Sequence, residues 1–426
     1  MDFRSLPEES VLPADALATL QEKWSDRRDS GFGQEVRFFD FEANGKPFTQ
    51  VAVVLTPERP LLVDGRRVVV IASEGGHDNG REFIVDTAGE EGAGPWLARR
   101  GVTFIALCRL GRWNFLSDDP LGSWIDVPLD RRMPVFHRGQ AAHWSPDDFI
   151  TVGAEGVSSP TGSPLCRLPR EGTELEDHML ALTPEVALQG FEMAAAACLG
   201  ETPDDQLLRL YWGFSTGATY LWSFAKRRPP DGVLGYGSAG IPFGHFASRA
   251  ARDEFGWLYD RSALRVRQRG LSDFDFYNGH LQGEERERHW QAALHSPQFK
   301  SYEDTFMFYN VAAQSEALCR LWNKPFLPEA VRQRGQSDLL RANLDLAFPD
   351  RSLASVKVLD VFGTRDQILP PPVARANAQE IRPFSSDYRL LFLDGYWHSV
   401  SRRHVEAFGA VWLEAATQGL FTPEHR

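Results

Sequence analysis

Leu207–Arg228 reads LLRLYWGFSTGATYLWSFAKRR: an apolar run, then Gly213-Phe214-Ser215-Thr216-Gly217, then a helical pattern. That order predicts a buried strand, a tight turn and a helix. The pentapeptide is G-x-S-x-G, which has meaning only in this setting. The turn must be sharp enough to hold a serine hydroxyl above the end of a sheet. Glycines stand two residues before and two after the serine because a Cβ at either place would crowd the neighbouring strand and helix. The plain structural alternative is a serine serving a tight turn.

Working outward, Glu35–Phe41 and Phe48–Leu55 flank Asn44-Gly45, a dipeptide favoured in hairpins, and predict an antiparallel pair. Val68–Ala72 (VVVIA) is apolar throughout, as a strand covered on both faces is, and Val102–Leu107 (VTFIAL) reads as another buried strand, with a helix near Pro95–Arg100 between them. Strand, helix, strand implies a right-handed crossover and a doubly wound sheet. Thr183-Pro184-Glu185 starts a helix running to about Cys198, and a short strand Val233–Tyr236 follows the pentapeptide's helix. The pattern resumes with strand Val356–Phe362, a helix near Val373–Gln379, strand Arg389–Leu393 and a helix from about Val405 to Gly419. The expected fold is α/β, with a mostly parallel, doubly wound sheet of about eight strands.

Two stretches break this rhythm. Residues 109–182 carry Gly, Pro, Ser and Asp clusters and read as an insertion; loops of that length usually decorate a site. Residues 241–350 are dense in aromatics, among them Trp257, Trp290, Phe306 and Tyr309, and read as a largely helical cap. The division is therefore an N-terminal arm at 1–34 with a helix at Asp15–Trp24, a core at 35–240, the cap at 241–350, and the rest of the core at 351–426.

At 426 residues the chain exceeds the usual size of a single core, in keeping with these insertions. A net charge of -12 argues against nucleic acid and against an anionic membrane surface as partners. Cys108, Cys166, Cys198 and Cys319 are scattered without a C-x-x-C pair, and Cys198 in EMAAAACLG reads as a small buried hydrophobe. The start, MDFRSLPEES, shows neither a basic n-region nor an apolar core, and no window holds 18 uninterrupted apolar residues. A cytoplasmic location is the expectation, with a secreted form whose signal has been removed as the alternative. Oligomeric state has no signature in the sequence.

A serine hydroxyl needs an adjacent base, itself oriented by an acid. Strand Val356–Phe362 runs into Gly363-Thr364-Arg365-Asp366, and strand Arg389–Leu393 into Asp394-Gly395-Tyr396-Trp397-His398. A carboxylate and an imidazole thus follow two later strands, in the order Ser215, Asp366, His398. Asp394, four residues before His398, is better placed to shape its turn, and Asp360 lies inside a strand. For His398 the plain alternative is a loop histidine packed near Trp397.

With VVVIASEGG, GFSTG, VLDVFGTRDQILP and GYWHS, the chain resembles the α/β-hydrolase superfamily over residues 35–107, 183–240 and 355–420. The resemblance implies Ser215 as nucleophile, His398 as general base and then acid, and Asp366 holding the imidazole tautomer. It implies an oxyanion hole from the backbone N–H of Thr216 and that of Gly75 or Gly76. Many members carry His-Gly where this chain has Glu74-Gly75, which leaves the second donor open. Glu74, His77, Asp78 and Arg81, together with Phe214 and Trp397, are candidates for the substrate pocket; a solvated loop face is the alternative for the charged four.

Gly235-Tyr236-Gly237-Ser238-Ala239-Gly240 satisfies the dinucleotide fingerprint G-x-G-x-x-G, yet no helix-to-strand unit with a ribose-binding acid follows it. No cofactor is expected. There is no H-E-x-x-H, and His280 and His289 flank the charged run GEERER, so no metal is expected either. The functional expectation is hydrolysis of a carboxylic ester or lactone of a medium-sized, apolar or aromatic small molecule. Amide or peptide cleavage, acyl transfer and carbon–carbon hydrolysis on the same residues are the alternatives, with a non-catalytic receptor behind them.

Overall fold

In a computed structural model the described residues are 2–27, 30–75, 80–85, 90–111, 113, 135–140, 146–152, 166–169, 172–182, 184–215, 217–238, 284, 350–366, 369 and 371–422. The expected cap at 241–350 lies almost wholly outside them, as do Gly76, His77, Asp78 and Thr216.

The strands are β1 (Glu9–Leu12), β2 (Phe32–Ala43), β3 (Lys46–Pro57), β4 (Leu62–Val63), β5 (Arg66–Ser73), β6 (Thr103–Cys108), β7 (Phe149–Val152), β8 (Cys166–Pro169), β9 (Leu207–Gly213), β10 (Gly232–Tyr236), β11 (Lys357–Gly363) and β12 (Asp387–Leu393). The helices are α1 (Ala14–Ser25), α2 (Ala93–Ala98), α3 (Glu174–Ala181), α4 (Pro184–Leu199), α5 (Gly217–Arg227), α6 (Pro371–Ile381) and α7 (Arg402–Thr417). One sheet runs in the order β1-β12-β11-β10-β9-β5-β6-β3-β2, with β4 paired to β5 off the path. From β1 to β6 the neighbours along this path are parallel; β3 and β2 then join antiparallel.

The β2–β3 hairpin turns where expected, on Asn44 (φ 51°) and Gly45 (φ 72°). Both residues are left-handed, the conformation that matches the twist of the flanking strands. Strands β5, β9, β11 and β12 are covered on both faces, which is why they read as apolar runs. Helices α4, α5 and α6 bury Phe191, Leu221, Trp222, Phe224 and Ile381 on one side of the sheet. Helices α1, α2 and α7 bury Trp24, Trp96, Phe408 and Trp412 on the other.

The order places the site. From β5 the chain crosses to β6 on one side, and later returns through β9 to the other side of β5. A crevice opens at such a switch point, beyond the carboxyl ends of the two strands. Ser73, the last residue of β5, is paired with Gly213, the last of β9. The Glu74-Gly75 turn and the serine turn are therefore neighbours by register.

Three expectations about organisation need correction. The main sheet has ten strands rather than about eight, because β1 and β4 join it. The reading of 1–34 as an arm fails where β1 pairs with β12 and where Phe3, Leu17, Leu20 and Trp24 are buried. Burying each of those side chains contributes about 1.5–3 kcal/mol, so polar neighbours in the sequence hid a core segment. Within 109–182, β7 and β8 form a separate antiparallel pair, and α3 follows them. No helix among the described residues is long and apolar enough to cross a membrane.

Candidate active site

Ser215 lies at the junction of β9 and α5 with φ 49°, one of three non-glycine residues at positive φ among those described. The other two, Asn44 and Asp64, are residue types that tolerate this region, whereas a serine there is strained. The turn is closed by hydrogen bonds from Gly217 N–H to Phe214 C=O (2.8 Å) and from Ala218 N–H to Ser215 C=O (3.1 Å). It is tied to the sheet by Phe214 N–H to Ser73 C=O (3.0 Å) and Ser215 N–H to Gly237 C=O (2.7 Å). A Cβ on Gly213 would collide with the backbone of Ala218, and one on Gly217 with the carbonyls of Ser73 and Glu74. Both glycines of the pentapeptide are thus required by close backbone approach. Ser238 adds a further tie, its hydroxyl donating to Gly213 C=O at 2.8 Å.

The other two residues of the expected set meet beside this turn. His398 Nδ1 lies 2.8 Å from Asp366 Oδ2, both side chains almost wholly buried. Leu369 N–H donates to the second carboxylate oxygen of Asp366 at 2.7 Å. The acid loop and the histidine loop are joined by Arg365 N–H to Tyr396 C=O (2.9 Å), an approach that a Cβ on Gly363 would block. The His398 ring stacks on Phe214, with centroids 4.9 Å apart and planes at 25°. A Cβ on Gly237 would sit 3.1 Å from His398 Cε1 and 3.0 Å from the Phe214 ring. Ser215, Asp366 and His398 are thus brought to one place through Phe214 and Gly237. Asp394, the rival acid, instead accepts from the Thr364 hydroxyl (3.1 Å), and Thr364 Oγ1 accepts from Gly395 N–H (2.9 Å).

The loop after β5 differs from expectation. Glu74 does not face a pocket: it is fully buried, accepting from Arg109 N–H at 2.6 Å, with the Arg109 guanidinium Nε 3.5 Å away. Arg109 also donates to Gly75 C=O, and Gly75 N–H donates to the carboxylate of Glu82. The peptide groups of Gly75 are therefore held from both ends. An oxyanion donor must have its N–H free to point at substrate, so Gly75 does not fill that role in this arrangement. Phe214 and Trp397, two other pocket candidates, are 2% and 5% exposed, and the Phe214 ring stacks on the histidine.

The glycines of the apparent dinucleotide fingerprint have other uses. Gly235 makes room for the Asp360 carboxylate, which would overlap a Cβ there, and Gly237 for His398 and Phe214. Sequence reading missed Glu82 and His404, which bond backbone seven residues away across an irregular loop, and Arg109 and Tyr236, whose bonds join segments 34 and 161 residues apart. Among the described residues no group of three His, Cys, Asp or Glu could hold a metal ion.

No family model matches the chain, and no curated protein does. Among solved structures, the esterase E22 is similar at 14% identity and TM-score 0.40, over 90% of this chain and all (100%) of that one. A thermostable carboxyl esterase from Bacillus coagulans in complex with glycerol gives 11%, 0.44, 92% and 100% for the same measures. An epoxide hydrolase from Bacillus megaterium gives 11%, 0.39, 89% and 100%. Likenesses this distant leave the assignment to the chain's own features: the strand order, the strained serine turn between β9 and α5, and the acid and histidine after β11 and β12. On those features the chain has the fold of the α/β-hydrolase superfamily.

Proposed function

We propose that the chain is a serine hydrolase that cleaves a carboxylic ester or lactone through an acyl-enzyme. One observation carries the reading. A serine held at φ 49° shares a buried edge with a histidine whose Nδ1 is 2.8 Å from a carboxylate. Backbone strain of this kind costs on the order of 1–3 kcal/mol and persists where the surroundings over-determine it, commonly at reactive positions.

In the first step Ser215 Oγ attacks the substrate carbonyl while His398 Nε2 takes its proton. Asp366 accepts from Nδ1–H, fixing the tautomer that leaves Nε2 basic and stabilising the imidazolium. Backbone N–H groups stabilise the tetrahedral oxyanion, and its collapse expels the alcohol with the proton from His398. Water, deprotonated by His398, then attacks the acyl-enzyme; the acid departs and Ser215 regains its proton. Thr216 N–H is the first proposed oxyanion donor. With Gly75 N–H bound to Glu82, Gly76 is the remaining candidate for the second. Haloalkane or epoxide opening would call for a carboxylate at the elbow, where this chain has Ser215.

The aromatic block at 241–350 supports an apolar or aromatic small molecule as substrate, since such side chains desolvate acyl and alcohol groups. The test is hydrolysis of p-nitrophenyl esters from acetate to decanoate, beside Ser215→Ala. Turnover abolished by the substitution is expected, and the chain-length optimum sizes the pocket. An inert wild type that still takes a fluorophosphonate on Ser215 would redirect the search to lactones, amides and carbon–carbon cleavage. Absence of both turnover and labelling would overturn the hydrolase reading.

A further inference from the structure

His398 is preceded by a residue, Trp397, whose backbone N–H and C=O are both held. Tyr236, the last residue of β10, donates its phenol to Trp397 C=O at 2.6 Å. His404, in the first turn of α7, accepts from Trp397 N–H through Nε2 at 3.3 Å. A backbone N–H can only donate, so Nε2 carries no proton and His404 Nδ1–H donates to Ser401 Oγ, 2.8 Å away. His404 is wholly buried, with the Tyr396 ring edge-on at 5.4 Å and the Tyr236 ring at 6.0 Å. Burial, and after it the charge of Asp366, push the Tyr236 phenol well above its ordinary range and keep it a donor.

We propose that Tyr236 and His404 are positioning residues, which clamp the Trp397 backbone on both sides of its Cα and so fix His398 between Asp366 and Ser215. The proposal rests on the serine-hydrolase reading for its kinetic consequences alone; the clamp itself is geometric. The elements it joins explain why it would matter. The His398 loop leaves β12 through Gly395 at φ 76°, and the next regular element is α7 at Arg402. Within that loop the Trp397 backbone is fixed from two sides by elements on different parts of the chain. Tyr236 reaches it from the end of the strand that leads directly into Gly237, the residue against the His398 ring. His404 reaches it from the helix that follows, with its Nδ1–H held by the Ser401 N-cap. One clamp therefore joins β10, the histidine loop and α7.

The test uses Tyr236→Phe, His404→Gln, His404→Met and the double variant Tyr236→Phe/His404→Met in the full chain, each checked for an unchanged thermal midpoint. Glutamine offers an acceptor near the place of Nε2, whereas methionine removes it. Displacements of about 1 Å at a reacting group cost up to about a hundredfold in rate, so Tyr236→Phe and His404→Met should each lower kcat by ten- to a hundredfold. KM should be unchanged, and His404→Gln should recover most of the loss. Because both residues act on the backbone of one residue, the double variant should fall short of the product of the two single losses.

A second readout does not depend on turnover. The His398 imidazole resonance, identified by its loss in His398→Ala, should shift in Tyr236→Phe and His404→Met, because the ring moves relative to Asp366 and to the Phe214 ring stacked on it. Folded variants with unchanged kcat, or with an unmoved His398 resonance in a chain that proves inert, would overturn the clamp. Failure of Ser215 labelling with a shifted His398 resonance would instead overturn the hydrolase reading and leave the clamp standing.

Discussion

Replacing Asp360 by asparagine should flatten part of the pH dependence of stability. Asp360 lies mid-strand in β11 and is 1% exposed. Its Oδ2 accepts from the Tyr388 phenol at 2.6 Å, while Oδ1, seated over Gly235, has no hydrogen-bond partner among the described residues. Loss of solvent raises the carboxyl from its usual 3.8 to about 7, opposed by the Tyr388 bond. The folded chain therefore holds this proton where the unfolded chain has lost it. Stability from the neutral carboxyl is fully present below about pH 4 and is lost as pH rises through about 7. At 1.36 kcal/mol per pH unit the whole loss is about 4 kcal/mol, of which about 3 kcal/mol falls between pH 5 and pH 8. Asparagine cannot ionise, and its amide against Gly235 adds only a pH-independent offset. Urea unfolding of both proteins at several pH values isolates the effect, since all other titrating groups cancel in the difference. The wild type should lose about 3 kcal/mol relative to Asp360→Asn from pH 5 to pH 8. Parallel curves would refute the reasoning, because they would mean that Asp360 ionises in the folded state as it does in water.

Ser215→Gly should abolish turnover yet raise stability by about 1 kcal/mol in a thermal melt, because glycine adopts φ 49° without strain; a destabilised variant would contradict the strain. Asp366→Asn leaves the packing in place but favours the wrong His398 tautomer, so kcat should fall by about ten-thousandfold. Asp394→Ala, which only trims the Thr364 turn, should stay within a fewfold of wild type in the same ester assay. Arg109→Leu strands the buried Glu74 carboxylate and should cost about 3–5 kcal/mol, read as a lowered urea midpoint. Adding Glu74→Leu should restore much of it.

What was legible in the sequence was whatever has a local physical cause. The strand, elbow and helix at Leu207–Arg228 were visible because apolar periodicity and two obligatory glycines mark them within one stretch. The hairpin at Asn44-Gly45 and the order Ser215, Asp366, His398 were visible for the same kind of reason. Asp394 against Asp366 could be weighed from distance along the chain alone, since four residues before His398 leave only a turn to make. Strand β1 was missed because ESVL is short and half exposed, and its partner β12 lies far along the chain. Glu74 read as a pocket residue because its ion pair with Arg109 depends on β5 and β6 lying side by side. The fingerprint at Gly235 could be set aside only because no helix-to-strand unit follows it; the glycines' actual use was not legible. A glycine needed to admit a neighbouring strand's side chain is indistinguishable in sequence from one needed to admit a phosphate.

These misses concentrate at the carboxyl edge of the sheet, and the geometry says why. A parallel sheet sets consecutive crossover loops next to one another at one edge, so loops remote in sequence must satisfy each other's backbone groups there. Buried polar bonds do this around the three proposed catalytic residues: Ser238 to Gly213 C=O beneath Ser215, His398 Nδ1 to Asp366, and Tyr236 to Trp397 C=O before His398. Arg109 and Glu82 do the same for Gly75. Loops are ordinarily the mobile part of a fold, and reacting groups tolerate little displacement. The cross-loop bonds resolve that conflict by lending the loops the rigidity of the strands behind them. It follows that substitutions among these partners should lower kcat more than they lower the melting point. Substitutions of core residues such as Trp96 or Leu208, distant from the edge, should show the reverse.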